Sequence, residues 1–417
     1  MLNSRRCEVV LVLALLLVAP WVAAGEELSN ETCLACHGLE GFAGAEDRPL
    51  FVSAEAFADS VHGPFSCTGC HTDVGAVPHE ETIKRPGPKV CAQCHGDVVA
   101  AYEQSIHGQA TSNGASDAAT CTSCHGPPHT MKRSTDPGSP VYQLALPRTC
   151  GLCHGDPELA KRHNIPVANA YQLYMDSIHG RALTRSGLLV AANCSSCHGS
   201  HDIRQRSDPE SKVNRANVPS TCGTCHAGIA EAYFEGVHGR AFKDGNPIVP
   251  ECADCHSAHA IARVDTDPWK LKILSECGNC HRQSLRTYRD TLHGQVTALG
   301  FTPTARCSDC HGSHRVFPAS DPKSSISPVN LVATCQKCHP RANENFVLFS
   351  PHADPHDREK NPSLYYAAQM MHYLLIGVFA FFGMHTGLWL LRSLFESREP
   401  EEPRRTPSDD AAESEEE

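Results

Sequence analysis

The chain has 417 residues, 20% of them charged and only 6% aromatic, with a net charge of −11. That balance provides no concentrated basic face, so nucleic-acid binding is excluded as its main role. Length suggests two or three domains, yet with 30 glycines, 29 prolines and few aromatic residues the chain lacks the apolar side chains to build them.

At the N-terminus, Arg5 and Arg6 precede an apolar run from Val9 to Val18, followed by Ala23 and Ala24. This reads as a secretory signal over residues 1–24, cut after Ala24; an uncleaved anchor is the rival reading. Of the 23 cysteines, Cys7 lies in this segment. The other 22 form eleven C-x-x-C pairs, each followed directly by histidine. In chain order the pairs are Cys33 and Cys36, Cys67 and Cys70, Cys91 and Cys94, Cys121 and Cys124, Cys150 and Cys153, Cys194 and Cys197, Cys222 and Cys225, Cys252 and Cys255, Cys277 and Cys280, Cys307 and Cys310, and Cys335 and Cys338. Their histidines, in the same order, are His37, His71, His95, His125, His154, His198, His226, His256, His281, His311 and His339. A zinc site, a redox-active dithiol or a disulfide framework would account for paired cysteines. None of these needs a histidine after every pair. Covalent attachment of haem c does: two thioethers hold the porphyrin and the histidine becomes an axial iron ligand. Eleven covalent haems are therefore expected. Because bacterial haem attachment takes place outside the cytoplasmic membrane, residues 25–345 are expected in the periplasm.

The motifs recur in pairs, with a period of about 58 residues, starting at Cys33, Cys91, Cys150, Cys222, Cys277 and Cys335. This makes five two-motif modules and a half module. Between the two motifs of each whole module, an aromatic residue is followed five positions later by His-Gly: Phe57 and His62, Tyr102 and His107, Tyr174 and His179, Tyr233 and His238, Tyr288 and His293. Each instance predicts a short helix with histidine near its end and a glycine that lets the chain turn out. A second histidine follows each second motif, at His79, His129, His201, His259 and His314. Four Asp-Pro turns come next, at Asp136, Asp208, Asp267 and Asp321. These ten histidines are the natural sixth ligands of ten haems, and His352 or His356 is the candidate for the eleventh. A histidine three places after its own motif is poorly placed for the far face of that haem, so it is expected to serve a neighbour. Met131 and Met175 each stand beside a repeated histidine and are not needed as ligands. Bis-histidine iron is low in potential and has no open position, which places electron transfer ahead of catalysis. The expected fold is mainly α with extensive loops, organised by a haem stack, with little or no sheet.

Residues 346–363 read as a linker and residues 364–392 as one transmembrane helix, with tyrosines at one end and Trp389 and Arg392 at the other. The acidic segment 393–417 reads as a disordered cytoplasmic tail. Within the helix, His372 and His385 are costly in lipid. They lie about 20 Å apart along the axis and about 140° apart around it, so they cannot clasp one cofactor together. His385 is the candidate for one ligand of a haem b shared with a partner; a polar helix–helix contact is the alternative.

The paired modules resemble the multihaem cytochrome c superfamily over roughly residues 30–340. The segment from His352 to Arg358, with Phe379 to Trp389, resembles the junction to the first membrane helix of formate-dehydrogenase-type cytochrome b proteins. Together they are similar to inner-membrane cytochrome bc-type quinone oxidoreductases of metal-respiring bacteria. This resemblance implies a single-span inner-membrane subunit passing electrons between a quinone-linked membrane cytochrome b partner and periplasmic or outer-membrane cytochromes in an anaerobic-type respiration. A terminal reductase for nitrite, hydroxylamine or a sulfur oxyanion is the alternative and needs one open haem; a filament of stacked haem proteins is a third reading.

Overall fold

The computed structural model describes residues 28–79, 83 and 85–396. The signal segment, and the acidic tail beyond Glu396, lie outside the described residues. As expected, the fold is helical with long loops. Among the described residues the β-structure amounts to one isolated bridge, between Ala43 and Pro49. Two compact units are present. Described residues up to Trp269, with His314–Val316, form the first; Lys270–Ser313, with the residues from Phe317 on, form the second.

Each module is built from the same local devices. In the second to fifth modules the aromatic residue lies in a helix whose last residue is two positions after it, and a second short helix begins after one junction residue. The histidine therefore sits in the first turn of the second helix, in Ile106–Ser112, Ile178–Thr184, Val237–Lys243 and Leu292–Ala298. It does not sit at the end of the first helix, as the sequence pattern suggested. The junction residue explains the break. Ser105, Ser177 and Thr291 each accept a hydrogen bond from the glycine N–H three residues on and donate one, 2.6 Å long, back to the tyrosine carbonyl. One hydroxyl thus caps the incoming helix and satisfies the last carbonyl of the outgoing one.

The glycine does not turn the chain out. At Gly108, Gly180, Gly239 and Gly294 an added Cβ would overlap the carbonyl oxygen of Tyr102, Tyr174, Tyr233 and Tyr288 respectively. Only hydrogen at this position lets the two helices cross so closely. The tyrosine ring then spans the module. Its hydroxyl donates, at 2.9 Å, to the carbonyl two residues before the second motif: Ala119, Ala192, Pro250 and Ala305. The first module has Phe57 in this place, and there Asn30 fastens the strand before Cys67 through Phe65 O and Cys67 N.

The second motifs of the last four whole modules form one-turn helices, Cys121–His125, Cys194–His198, Cys252–His256 and Cys307–His311; a capping box starts the first three, and in the last Asp309 accepts from the Arg306 N–H and guanidinium. After the motif histidine the chain leaves through a left-handed residue, Gly126, Gly199, Ser257 or Gly312. Three Asp-Pro turns are closed by the aspartate accepting from the N–H two residues on, in Gly138, Glu210 and Lys323. Asp267 instead opens the Asp267–Cys280 helix.

Among the described residues, buried hydrophobic side chains are few: Val99, Ala160, Tyr174, Leu183, Trp269, Leu274, Tyr288, Phe317 and Ala342. Nine such residues cannot offset the conformational entropy of some 300 ordered ones. The chain by itself has no adequate core.

The helix Pro362–Glu396 has 35 residues, a little longer at both ends than the expected 364–392, with a mean hydropathy of 1.9 over its most apolar window. Its large apolar side chains, from Leu364 to Phe395, are exposed, and it is long and apolar enough to cross a membrane.

Gly180→Ala is expected to destabilise the cofactor-loaded protein by about 1–3 kcal/mol through overpacking at the helix junction. Gly228→Ala, in a helix with open space at the added Cβ, is expected to be neutral or slightly stabilising. Thermal unfolding of both variants beside the parent checks this.

Candidate functional site

Imidazoles approach in pairs throughout both units. The histidines five places after the aromatic residue, helix-borne except for His62, which lies in a turn, each face the motif histidine that opens the next module: His62 with His95, His107 with His154, His179 with His226, and His293 with His339. The loop-borne histidines face the second motif of the module before them: His129 with His71, His201 with His125, His259 with His198, and His314 with His256. Two pairs close the ends, His79 with His37 and His352 with His311. His238 and His281, the remaining members of their series, belong to different units and each make contacts of their own.

The ring centroids in these pairs lie 5.9 to 6.5 Å apart. Two imidazoles on opposite sides of one metal ion, each bonded at about 2 Å, have centroids about 6 Å apart. Several rings also have Nδ1 engaged, leaving Nε2 for a metal. His37 Nδ1 is 3.0 Å from Leu50 O, His62 Nδ1 is 3.2 Å from Pro128 O, and His352 Nδ1 is 3.1 Å from Thr287 Oγ1. Burial keeps many of the rings neutral. It brings the His198 pKa down to about 4, helped by His259 and His154, and lowers those of His107, His125, His129, His154, His179, His256 and His311 as well. The neutral ring is the form that binds metal.

The thiols set the order of the motifs. Within modules, Cys33 lies beside Cys67, Cys91 beside Cys121, Cys150 beside Cys194, Cys222 beside Cys252, and Cys277 beside Cys307. Between modules, Cys70 neighbours Cys91 and Cys94, Cys124 neighbours Cys150 and Cys153, Cys197 neighbours Cys222 and Cys225, and Cys310 neighbours Cys335 and Cys338. Burial, with Cys33 adjacent, raises the Cys67 pKa to about 11. In the first unit, motifs one to eight therefore stand in file in sequence order, and motifs nine to eleven do so in the second.

Three of the expected attachment cysteines, Cys36, Cys255 and Cys280, are not among these neighbours, and Cys280 is an exposed thiol at the end of the helix Asp267–Cys280. Cys36 is an exposed thiol near the end of the helix Asn30–His37. Cys255 is half-buried in Cys252–His256 and has contacts of its own. Each still follows the first cysteine of its pair by three residues on one helix, which keeps both sulfurs on the same face.

Backbone hydrogen bonds fix this register. The residue before His62, and before helix-borne histidines, donates to the carbonyl two residues after the loop-borne histidine of the next module: Val61 to Met131, Ile106 to Ile203, Ile178 to Ile261, and Val237 to Val316, at 2.7 to 2.9 Å. Sequence reasoning missed these clasps, although an aliphatic residue or methionine recurs at both positions. It also placed His352 or His356 with the last motif. The register instead gives His339 to His293 and brings His352 to His311, because the half module has no second motif of its own. His356 has its backbone N–H on Asp354 and faces no histidine. His372 lies against Tyr373, and His385 is likewise unpaired with another histidine. His163 bonds Asp117 at 3.0 Å and belongs to neither series.

Residues 75–155 match the family model of cytochrome c7 and related cytochrome c. By that match the chain resembles multihaem c-type cytochromes. The matched stretch contains three C-x-x-C-H triplets, those of His95, His125 and His154. No curated protein matches the chain. Covalent haem c is the cofactor this family implies, and the residues fit it. The motif cysteines, Cys36 and Cys255 included, are all free thiols, and imidazoles converge two by two. No group of three or more metal-ligating side chains occurs among the described residues, so a four-ligand zinc site is not what the arrangement offers.

His352→Ala is expected to open the site of His311 and leave that of His339 closed, producing one high-spin haem by electron paramagnetic resonance. In a variant that also lacks Cys307 and Cys310, the His352 substitution should add no further high-spin signal. An additional signal there would assign His352 to another motif.

Proposed function

We propose that this chain is a membrane-anchored, eleven-haem c-type cytochrome. It would carry electrons between a quinone-linked cytochrome b partner in the membrane and periplasmic or outer-membrane acceptors. The observation that carries this reading is the file of C-x-x-C-H triplets with a second imidazole facing nearly every motif histidine. The paired thiols of each triplet would hold one haem c by thioethers, and the motif histidine and its facing partner would ligate its iron. Haem c, when bound, supplies one-electron iron chemistry at low potential under bis-histidine ligation. The chain's own residues do the rest. In the second, third and fifth modules the tyrosine and serine or threonine clamps fix where the helix-borne imidazole stands, and the inter-module backbone bonds keep consecutive sites adjacent. Where two facing imidazoles would both hold the iron, no position remains for a substrate, which favours transfer over catalysis.

In the same reading, Pro362–Glu396 spans the inner membrane once, with the haem region in the periplasm and the tail in the cytoplasm. His385 is then available as one ligand of a haem b shared with the partner. The half module of Cys335, Cys338 and His339 stands next in sequence to this helix, which makes its haem the natural port to the membrane.

Protein purified from membranes is expected to carry eleven covalent haems per chain by intact mass and by pyridine haemochrome titration, all low-spin when oxidised. A partner containing haem b should accompany it under mild extraction. Fewer than eleven haems would break the assignment, and a high-spin signal in the untouched oxidised protein would favour a reductase.

A further inference from the structure

The second unit has a groove beside the attachment motif of Cys277 and Cys280. Gly278, Arg282, Leu285, Arg286, Arg289 and Asp290 line it, around a volume of about 320 Å³. The three arginines recur at i, i+4 and i+7 on the helix Arg282–Asp290 and so share one face. Like charges in this spacing repel. Arg286 is answered by Asp354, whereas Arg282 and Arg289 have no carboxylate partner among the described residues.

The repeat supplies an internal comparison. Counted from the motif histidine, the places of Arg282, Arg286 and Arg289 are held by Gly96, Ala100 and Glu103 in the second module and by Ala227, Glu231 and Phe234 in the fourth. Neither of those helices has a lysine or arginine along this stretch, and each is net acidic. Charge is reversed in the last whole module relative to these two, although the third module has Lys161 and Arg162 along this stretch, so a first motif does not by itself call for three arginines here.

What distinguishes this module is where its chain leads. Asp354, the partner of Arg286, begins a short stretch closed by two backbone turns, Asp357 N to Asp354 O and Asn361 N to Asp357 O. This stretch runs directly into Pro362–Glu396. The first turns of that helix carry Tyr365 and Tyr366, and Arg358 stands over the Tyr366 ring at 5.6 Å. Tyrosines with arginine beside them mark the level of lipid headgroups. We propose that the groove binds the phosphate-bearing headgroup of an anionic phospholipid, seating the second unit on the membrane surface beside its own helix. The proposal rests on the reading of that helix as a membrane span. Arg282 and Arg289 present unused guanidinium forks, which match phosphate oxygens two at a time. The volume lies at the small end of ligand pockets, enough for a headgroup but not for acyl chains.

The test uses the full-length, haem-loaded protein in nanodiscs of phosphatidylcholine with or without phosphatidylglycerol, followed by native mass spectrometry of retained lipid. The parent should retain phosphatidylglycerol selectively. The double variant Arg282→Gln/Arg289→Gln should lose that selectivity by about tenfold or more, while Arg185→Gln in the first unit keeps it. Equal retention by parent and double variant overturns the proposal. So does complete displacement of the lipid by inorganic phosphate at constant ionic strength, which would make the groove a site for free phosphate. A double variant with unchanged lipid but shifted haem potentials would assign the arginines to haem propionates and overturn it as well. Failure of the parent to enter nanodiscs overturns the membrane reading together with this one; entry without lipid preference overturns this one alone.

Discussion

Two imidazoles held about 6 Å apart by different modules are the constraint on which the rest of this structure depends. With so small an apolar core, the chain has little else to fold around. Every local device in the repeat serves the placement of one ring. The hydroxyl at the helix junction sets the start of the second helix, the glycine lets that helix cross its predecessor, and the tyrosine ties the crossing to the strand before the next motif. Losing any one of them moves a ring, and a ring moved by an ångström no longer faces its partner at the spacing a shared metal needs.

Within each unit, pairing across module boundaries completes a module with side chains of its neighbours. The rule also explains the two ends. A first-motif histidine is normally met by the helix-borne histidine of the preceding module. His37 has no preceding module, while His79 has no earlier second motif to serve, so the two meet each other. At the other end, the half module supplies no loop-borne histidine, and His311 would be left without a partner. The linker fills the gap with His352, held through Thr287, while Asp354 two residues on is fastened to Arg286 and Gln283. The stretch read from sequence as a linker is thus the terminal cap of the repeat.

The sequence made the motifs, the module period, the two histidine classes and the helical character legible, because each is a matter of residue type at fixed spacing. It also indicated that a histidine such as His201 would not serve its own motif. The length of the offset was not legible. Pairing by one module depends on where backbone donors such as Ile106 N find acceptors such as Ile203 O, and those partners are about a hundred residues apart in the chain. The role of the glycine was misjudged for a related reason. Glycine after a helical histidine commonly signals a left-handed exit, but Gly108 and its counterparts are needed for a close helix crossing that only the folded chain reveals. The Asn30 contacts that stand in for a tyrosine clamp in the first module could not be inferred from a repeat that lacks them elsewhere.

The two histidine classes also differ in how their rings meet. Loop-borne partners of second motifs lie nearly parallel to them, at 3° to 23°. Helix-borne partners of first motifs are inclined by 31° to 59°, and His62, which lies in a turn, by 70°. Rotation about a histidine–metal–histidine axis costs no bond length, so the angle is set by the backbone that carries each ring. A histidine in the first turn of a helix has few rotamers available to it, whereas one on a loop can follow its partner. Along the file the sites therefore alternate in kind as a consequence of the two-motif repeat, with no special substitution needed at any one of them. The alternation breaks near the C-terminal end. His352 meets His311 at 44°, a second-motif site with the inclination of a first-motif one. The departure falls where the repeat gives way to the apolar helix, at the one site whose second imidazole comes from outside it.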